Sequence, residues 1–145
     1  MKHVLVIAYG NRLRSDDGIA WQAGEVLRRE LPDGAKVICV HQLTPELAED
    51  IALADRVIFL DASSKGEPGS IRCHTVFAQP GELRFSHQLE PGQVLYLSQH
   101  LYSADPQAFL ISIAGQCFAH GCEFSAATVQ ALPRVVTEVC QLVSL

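Results

Sequence analysis

The chain has 145 residues, 48% hydrophobic and 19% charged, a balance that supplies one continuous core and excludes a disordered or low-complexity polymer. Its formal net charge of −5, with the 11 Lys and Arg forming no run, excludes a surface built to track nucleic-acid phosphates. Five cysteines, an odd number scattered among apolar neighbours, argue against a disulfide framework and for reduced thiols.

The first apolar run, Val4 to Ala8, ends at Gly10 and is too short for a signal peptide's apolar region or a membrane span. The expectation is therefore a cytoplasmic protein, monomeric, without membrane or nucleic-acid partners, forming a single domain over 1–145. Lys2 to Tyr9 is a β-branched and aliphatic stretch of the kind buried on both faces of a parallel sheet. From Asp17, apolar Ile19, Ala23, Val26, Leu27 and Leu31 recur at helical spacing until Pro32-Asp33-Gly34 stops them. Ala35 to His41 reads as the next strand. Thr44-Pro45-Glu46 then supplies an N-cap and a first-turn proline for a helix running to about Ala54.

Arg56 to Leu60 is a third strand that terminates in Asp61-Ala62-Ser63-Ser64. After a turn at Lys65 to Gly69, Ser70 to Phe77 alternates with period two and suits an edge strand. Ala78 to Glu90 is loop-like and holds Phe85-Ser86-His87-Gln88-Leu89. A helix follows from Pro91 through Leu101, a strand over Gln107 to Ala114, a loop over Gly115 to Glu123, and a closing helix over Ser125 to Val143 that Pro133 kinks or restarts. The alternation predicts an α/β fold, a three-layer α/β/α sandwich around a mostly parallel sheet of about five strands.

Ligands in such sheets bind beyond the carboxyl ends of the strands. The loop Tyr9-Gly10-Asn11-Arg12-Leu13-Arg14-Ser15-Asp16-Asp17-Gly18 lies on that edge, as do Asp61 and His87. Two carboxylates and an imidazole, Asp17, Asp61 and His87, suit a borderline divalent metal with room for an exogenous ligand. Aspartates at a helix start also have a plain structural account, since they accept free N–H groups and complement the helix dipole. Asn11 is open to two readings, a left-handed turn residue or an amide that holds a peptide or orients a carboxylate. His41 ends a strand on the same edge. Cys117, His120 and Cys122 lack a fourth zinc ligand. Neither a glycine-rich phosphate loop nor a nucleophile elbow is present.

Three spaced motifs, Gly10-Asn11-x-Leu13-x-x-Asp16-Asp17-Gly18, Asp61 after the third strand, and Ser86-His87-Gln88-Leu89 before a helix, together resemble the hydrogenase maturation endopeptidases. Chain length, element order and Phe124-Ser125 before the last helix are similar to that family too. The resemblance implies an endopeptidase that removes the C-terminal extension of a [NiFe]-hydrogenase large-subunit precursor after nickel insertion. By position, Asp17, Asp61 and His87 match the metal-contacting residues, and Asp16 and Asn11 belong to the same motif as Asp17. Asp16, Asp17 and Asp61 are thus the catalytic candidates, and Asn11, His41, Gln42 and Leu43 the substrate-recognition candidates. Nickel is implied as a feature of the precursor rather than a store of the enzyme.

Two departures from the family pattern stand out. Asp17 replaces the glutamate of many members, and His41-Gln42-Leu43-Thr44 replaces an Asp-Gly-x-Thr motif, which looks like the branch serving bidirectional NAD(P)-linked hydrogenases. The competing readings are a receiver-type magnesium and phosphoacceptor domain and a non-enzymatic nickel carrier.

Overall fold

A computed structural model of the chain describes residues 2–81 and 88–145. Five strands, β1 (Val4–Tyr9), β2 (Ala35–Val40), β3 (Arg56–Ser63), β4 (Ile71–Thr75) and β5 (Gln107–Ala114), form one sheet in the order β2-β1-β3-β5-β4. All neighbours run parallel except β4, which lies antiparallel to β5 at the edge. That edge strand departs from the all-parallel 2-1-3-4-5 order of receiver-type domains. The α/β/α sandwich expected from the alternation is present.

Strand periodicity divides the core. Val4, Val6 and Ala8 of β1, Ile58 and Leu60 of β3, and Ile111 and Ile113 of β5 pack against α1 (Ile19–Glu30) and α4 (Ala126–Ser144). The alternate residues Leu5, Ile7, Val57, Phe59 and Ala108 pack against α2 (Leu47–Ala52) and α3 (Pro91–Tyr102). Gly24 permits the close approach of α1, because a Cβ there would lie 2.6 Å from Cys39 Sγ.

Element boundaries differ from expectation where local chemistry intervenes. The chain winds a 3-10 turn over Ser15–Gly18 before α1 begins at Ile19. Thr44 does not cap α2 through its side chain. Instead Leu47, Ala48 and Glu49 donate to the carbonyls of Thr44, Pro45 and Glu46, so this turn closes over three residues and the α-helix starts later. Strand β3 continues past Leu60 to Ser63, putting Asp61 in the ladder opposite Ser112. Pro133 neither breaks nor restarts α4, which runs through it on an exposed face. The α3 start is fixed by a capping box, Glu90 N–H donating to Gln93 Oε1 at 2.7 Å, with Pro91 following.

No cysteine is in a disulfide. Among the described residues, no helix is long and apolar enough to cross a membrane.

Candidate active site

The first strand leaves the sheet through Gly10, whose φ of +149° and approach to the Asp17 carbonyl leave no room for a side chain: a Cβ would lie 2.1 Å from that oxygen. The loop then folds onto itself. Asn11 Oδ1 accepts from Leu13 N–H at 2.9 Å, and Asn11 N–H donates to Asp17 Oδ2 at 2.7 Å. The Asn11 backbone is not left-handed, which sets aside the first of its two readings; its amide oxygen closes a side-chain turn over Leu13 instead. Trp21 on α1 reaches back and divides its indole N–H between the carbonyls of Gly10 (3.0 Å) and Val40 (3.1 Å), tying together the ends of β1 and β2. The Arg12 guanidinium stacks over the indole 4.0 Å from its centroid.

Asp16 and Asp17, adjacent in sequence, face different surroundings. Asp16 is fully buried and accepts from five donors: the N–H groups of Gln116, Cys117 and Ser125 and the hydroxyls of Ser125 and Thr128, all within 3.0 Å. Burial pushes its carboxyl up, but the N–H donors of Cys117, Ser125 and Gln116 with the Ser125 hydroxyl outweigh it and hold the group well below the ordinary carboxylate range. Asp16 therefore ties the 3-10 turn to the loop before α4. It is not among the residues that line the cleft beside it. Its place in the sequence-predicted catalytic set has no support in its position, because its oxygens are already committed.

Asp17 lines that cleft, of about 220 Å³, at the carboxyl edge of β1 and β3, together with Asp61, Asn11 and His41. Tyr9, Arg14 and Glu90 also line it. The Asp61 carboxylate is gripped from both sides, Oδ2 accepting from Tyr9 hydroxyl at 2.8 Å and Oδ1 from Ser112 hydroxyl at 2.6 Å. Burial raises its carboxyl above the ordinary value, the two hydroxyls oppose the shift, and the charges of Glu90 and Asp17 add to it. Burial and the neighbouring Asp61 charge likewise keep the Tyr9 phenol protonated.

His87, the expected third metal contact, lies outside the described residues. Among the described residues no cluster of three His, Cys, Asp or Glu side chains is placed to hold a metal ion. The recognition candidates divide. His41 lines the cleft and also a wider groove of about 1010 Å³ alongside it, where Gln42, Trp21, Leu13 and Phe124 join it. Leu43 is buried in the core against α2 and α3, so it holds the loop rather than facing a ligand.

Tyr9, Ser112 and Trp21 escaped sequence reasoning as site residues. A polar ring closing the otherwise aliphatic run of β1, and a lone hydroxyl within the apolar β5, were the available signals.

The sheet, in the order 2-1-3-5-4, thus carries Asp17 and Asp61 in a cleft at its carboxyl edge, and solved structures that share this fold include several named as hydrogenase maturation endopeptidases or proteases. The hydrogenase maturating endopeptidase HybD from E. coli superposes with a TM-score of 0.77 at 21% identity, over 96% of this chain and 90% of that one. The [NiFe] hydrogenase maturation protease HybD from Thermococcus kodakarensis gives 0.74 at 25% identity, over 98% and 99% of the two chains. The hydrogenase 2 maturation peptidase from Thaumarchaeota archaeon SCGC_AB-539-E09 gives 0.73 at 23%, over 99% of both. No protein-family model and no curated protein matches the sequence.

Proposed function

We propose that the chain is an endopeptidase that removes the C-terminal extension of a nickel-loaded [NiFe]-hydrogenase large-subunit precursor. The observation that carries this reading is the meeting of Asp17 and Asp61 in one cleft, from sequence positions far apart, on a fold shared end to end with hydrogenase maturation proteases.

The precursor presents its nickel to Asp17, Asp61 and His87. Carboxylate and imidazole donors without thiolates suit a borderline ion that is borrowed rather than stored. Seating the ion aligns the scissile peptide at the same edge of the sheet, so maturation of the substrate becomes a condition of its cleavage. A cleft carboxylate, Asp17 or Asp61, takes the proton of the attacking water and returns it to the leaving amine. Asp16 serves by holding the loop that presents Asp17. Asn11 fixes one Asp17 oxygen through its backbone N–H. His41 and Gln42, on the groove that continues from the cleft, contact the polypeptide flanking the cut. Their difference from the family's common motif supports a precursor of the bidirectional, NAD(P)-linked type.

The test is mass analysis of a nickel-loaded precursor after incubation with the purified protein. Wild-type protein shortens it by its C-terminal extension. Asp61→Ala and His87→Ala leave it intact while keeping a native unfolding transition, and Asp17→Glu retains measurable activity. An intact precursor with folded wild-type protein would leave the nickel-carrier reading in place of the protease.

A further inference from the structure

Three strands bring a polar row to the carboxyl end of the sheet. The register pairs Leu5 with Val57 and Val57 with Ala108, then Ile7 with Phe59 and Phe59 with Leu110. One step further along, Tyr9, Asp61 and Ser112 occupy the same places on β1, β3 and β5, the last two directly paired. Two apolar rows are thus followed by one of phenol, carboxylate and hydroxyl, all on the face covered by α2 and α3.

We propose that Tyr9 and Ser112 are positioning residues for precursor processing, two hydroxyls that clamp the Asp61 carboxylate in the orientation that receives the substrate's metal. This rests on the function proposed above. The terminal torsion of an aspartate is broad, so a carboxylate without partners samples many orientations of its plane. Here each oxygen accepts one hydroxyl, from opposite flanks, at 2.8 and 2.6 Å. The plane is set, and each oxygen keeps a further lone pair for a ligand entering from the cleft.

The chemistry of the donors matters as much as their geometry. An arginine or lysine partner would neutralise the carboxylate and compete with the metal for it. A phenol and an aliphatic hydroxyl orient the group and leave its full charge available. Groups that hydrogen-bond a metal-binding carboxylate in this way typically change metal affinity 10–100-fold when removed.

The experiment compares the affinity of the protein, at contact times too short for cleavage, for two probes, the nickel-loaded precursor and the same precursor without metal. Tyr9→Phe and Ser112→Ala should each weaken binding of the nickel-loaded form roughly tenfold or more. Binding of the metal-free form should stay unchanged. Ser112→Thr, which keeps the hydroxyl and suits a strand, should restore the wild-type ratio. Thermal melts identify any variant that fails to fold, and Ser112→Ala carries the test should Tyr9→Phe be one. Equal weakening of both forms, or no weakening of either, would overturn the clamp. Wild-type protein that binds both precursor forms alike would overturn the processing reading and the clamp with it, a result visible before any variant is made.

Discussion

Two aspartates show how one side chain serves opposite ends in the same fold. Asp16 is a buried anion with five donors, and its folded carboxyl titrates below the ordinary value of about 4. The stability it contributes is complete above that pH and is lost as pH falls through the folded value. Asp16→Asn should cost about 3 kcal/mol at neutral pH, since charged hydrogen bonds are the strong ones and their donors are left mismatched. Urea unfolding at pH 7 and again near pH 3 checks this, the gap between wild type and variant narrowing in acid. Asp61 is the reverse case. Burial, with Glu90 and Asp17 nearby, raises its folded carboxyl, so its effect on stability turns unfavourable as pH rises from the ordinary carboxylate value to the folded one and stays so above it. Asp61→Asn should therefore abolish processing yet raise the melting temperature at pH 7, where a structural carboxylate would show a fall.

At the scale of elements, the joints around the cleft are held by a few groups. Trp21→Phe removes the N–H shared by the Gly10 and Val40 carbonyls and should cost about 1–2 kcal/mol, with faster amide exchange in the loop after β1. Pro133 denies α4 the bond to the Val129 carbonyl, and because its position is exposed, Pro133→Ala should stabilise the protein by about 1 kcal/mol or more, read from denaturant midpoints. Most elements were legible from local pattern. Strand β5 follows its apolar run residue for residue, and α3 starts where proline follows Glu90. Elements whose ends depend on remote partners were not. The 3-10 turn before α1 is held by Asp16 partners 100 to 112 residues away, and no window of neighbouring residues contains that information. The cleft was half legible for the same reason. Asp17, in the loop that follows β1, and Asp61, near the carboxyl end of β3, are marked by their place in the chain alone, whereas the pairing of Tyr9 and Ser112 with Asp61 needs the register of three strands.

Taken whole, the molecule is a sheet with both faces buried and an acidic cleft at its carboxyl edge, from which a broader and more apolar groove continues. On the proposed function, this cleft borrows a cation carried by the precursor rather than storing one, since carboxylate and imidazole donors without thiolates suit an ion held only in passing. Recognition of the ion is then recognition of a finished precursor. Withholding about 4 kcal/mol of productive binding from a precursor without metal slows its processing roughly a thousandfold. The measurement that bears most directly on this account is the rate at which purified protein cleaves nickel-loaded and metal-free precursor side by side under identical conditions. The account predicts rapid loss of the extension from the nickel-loaded form and essentially none from the metal-free form. Equal rates on the two would contradict it.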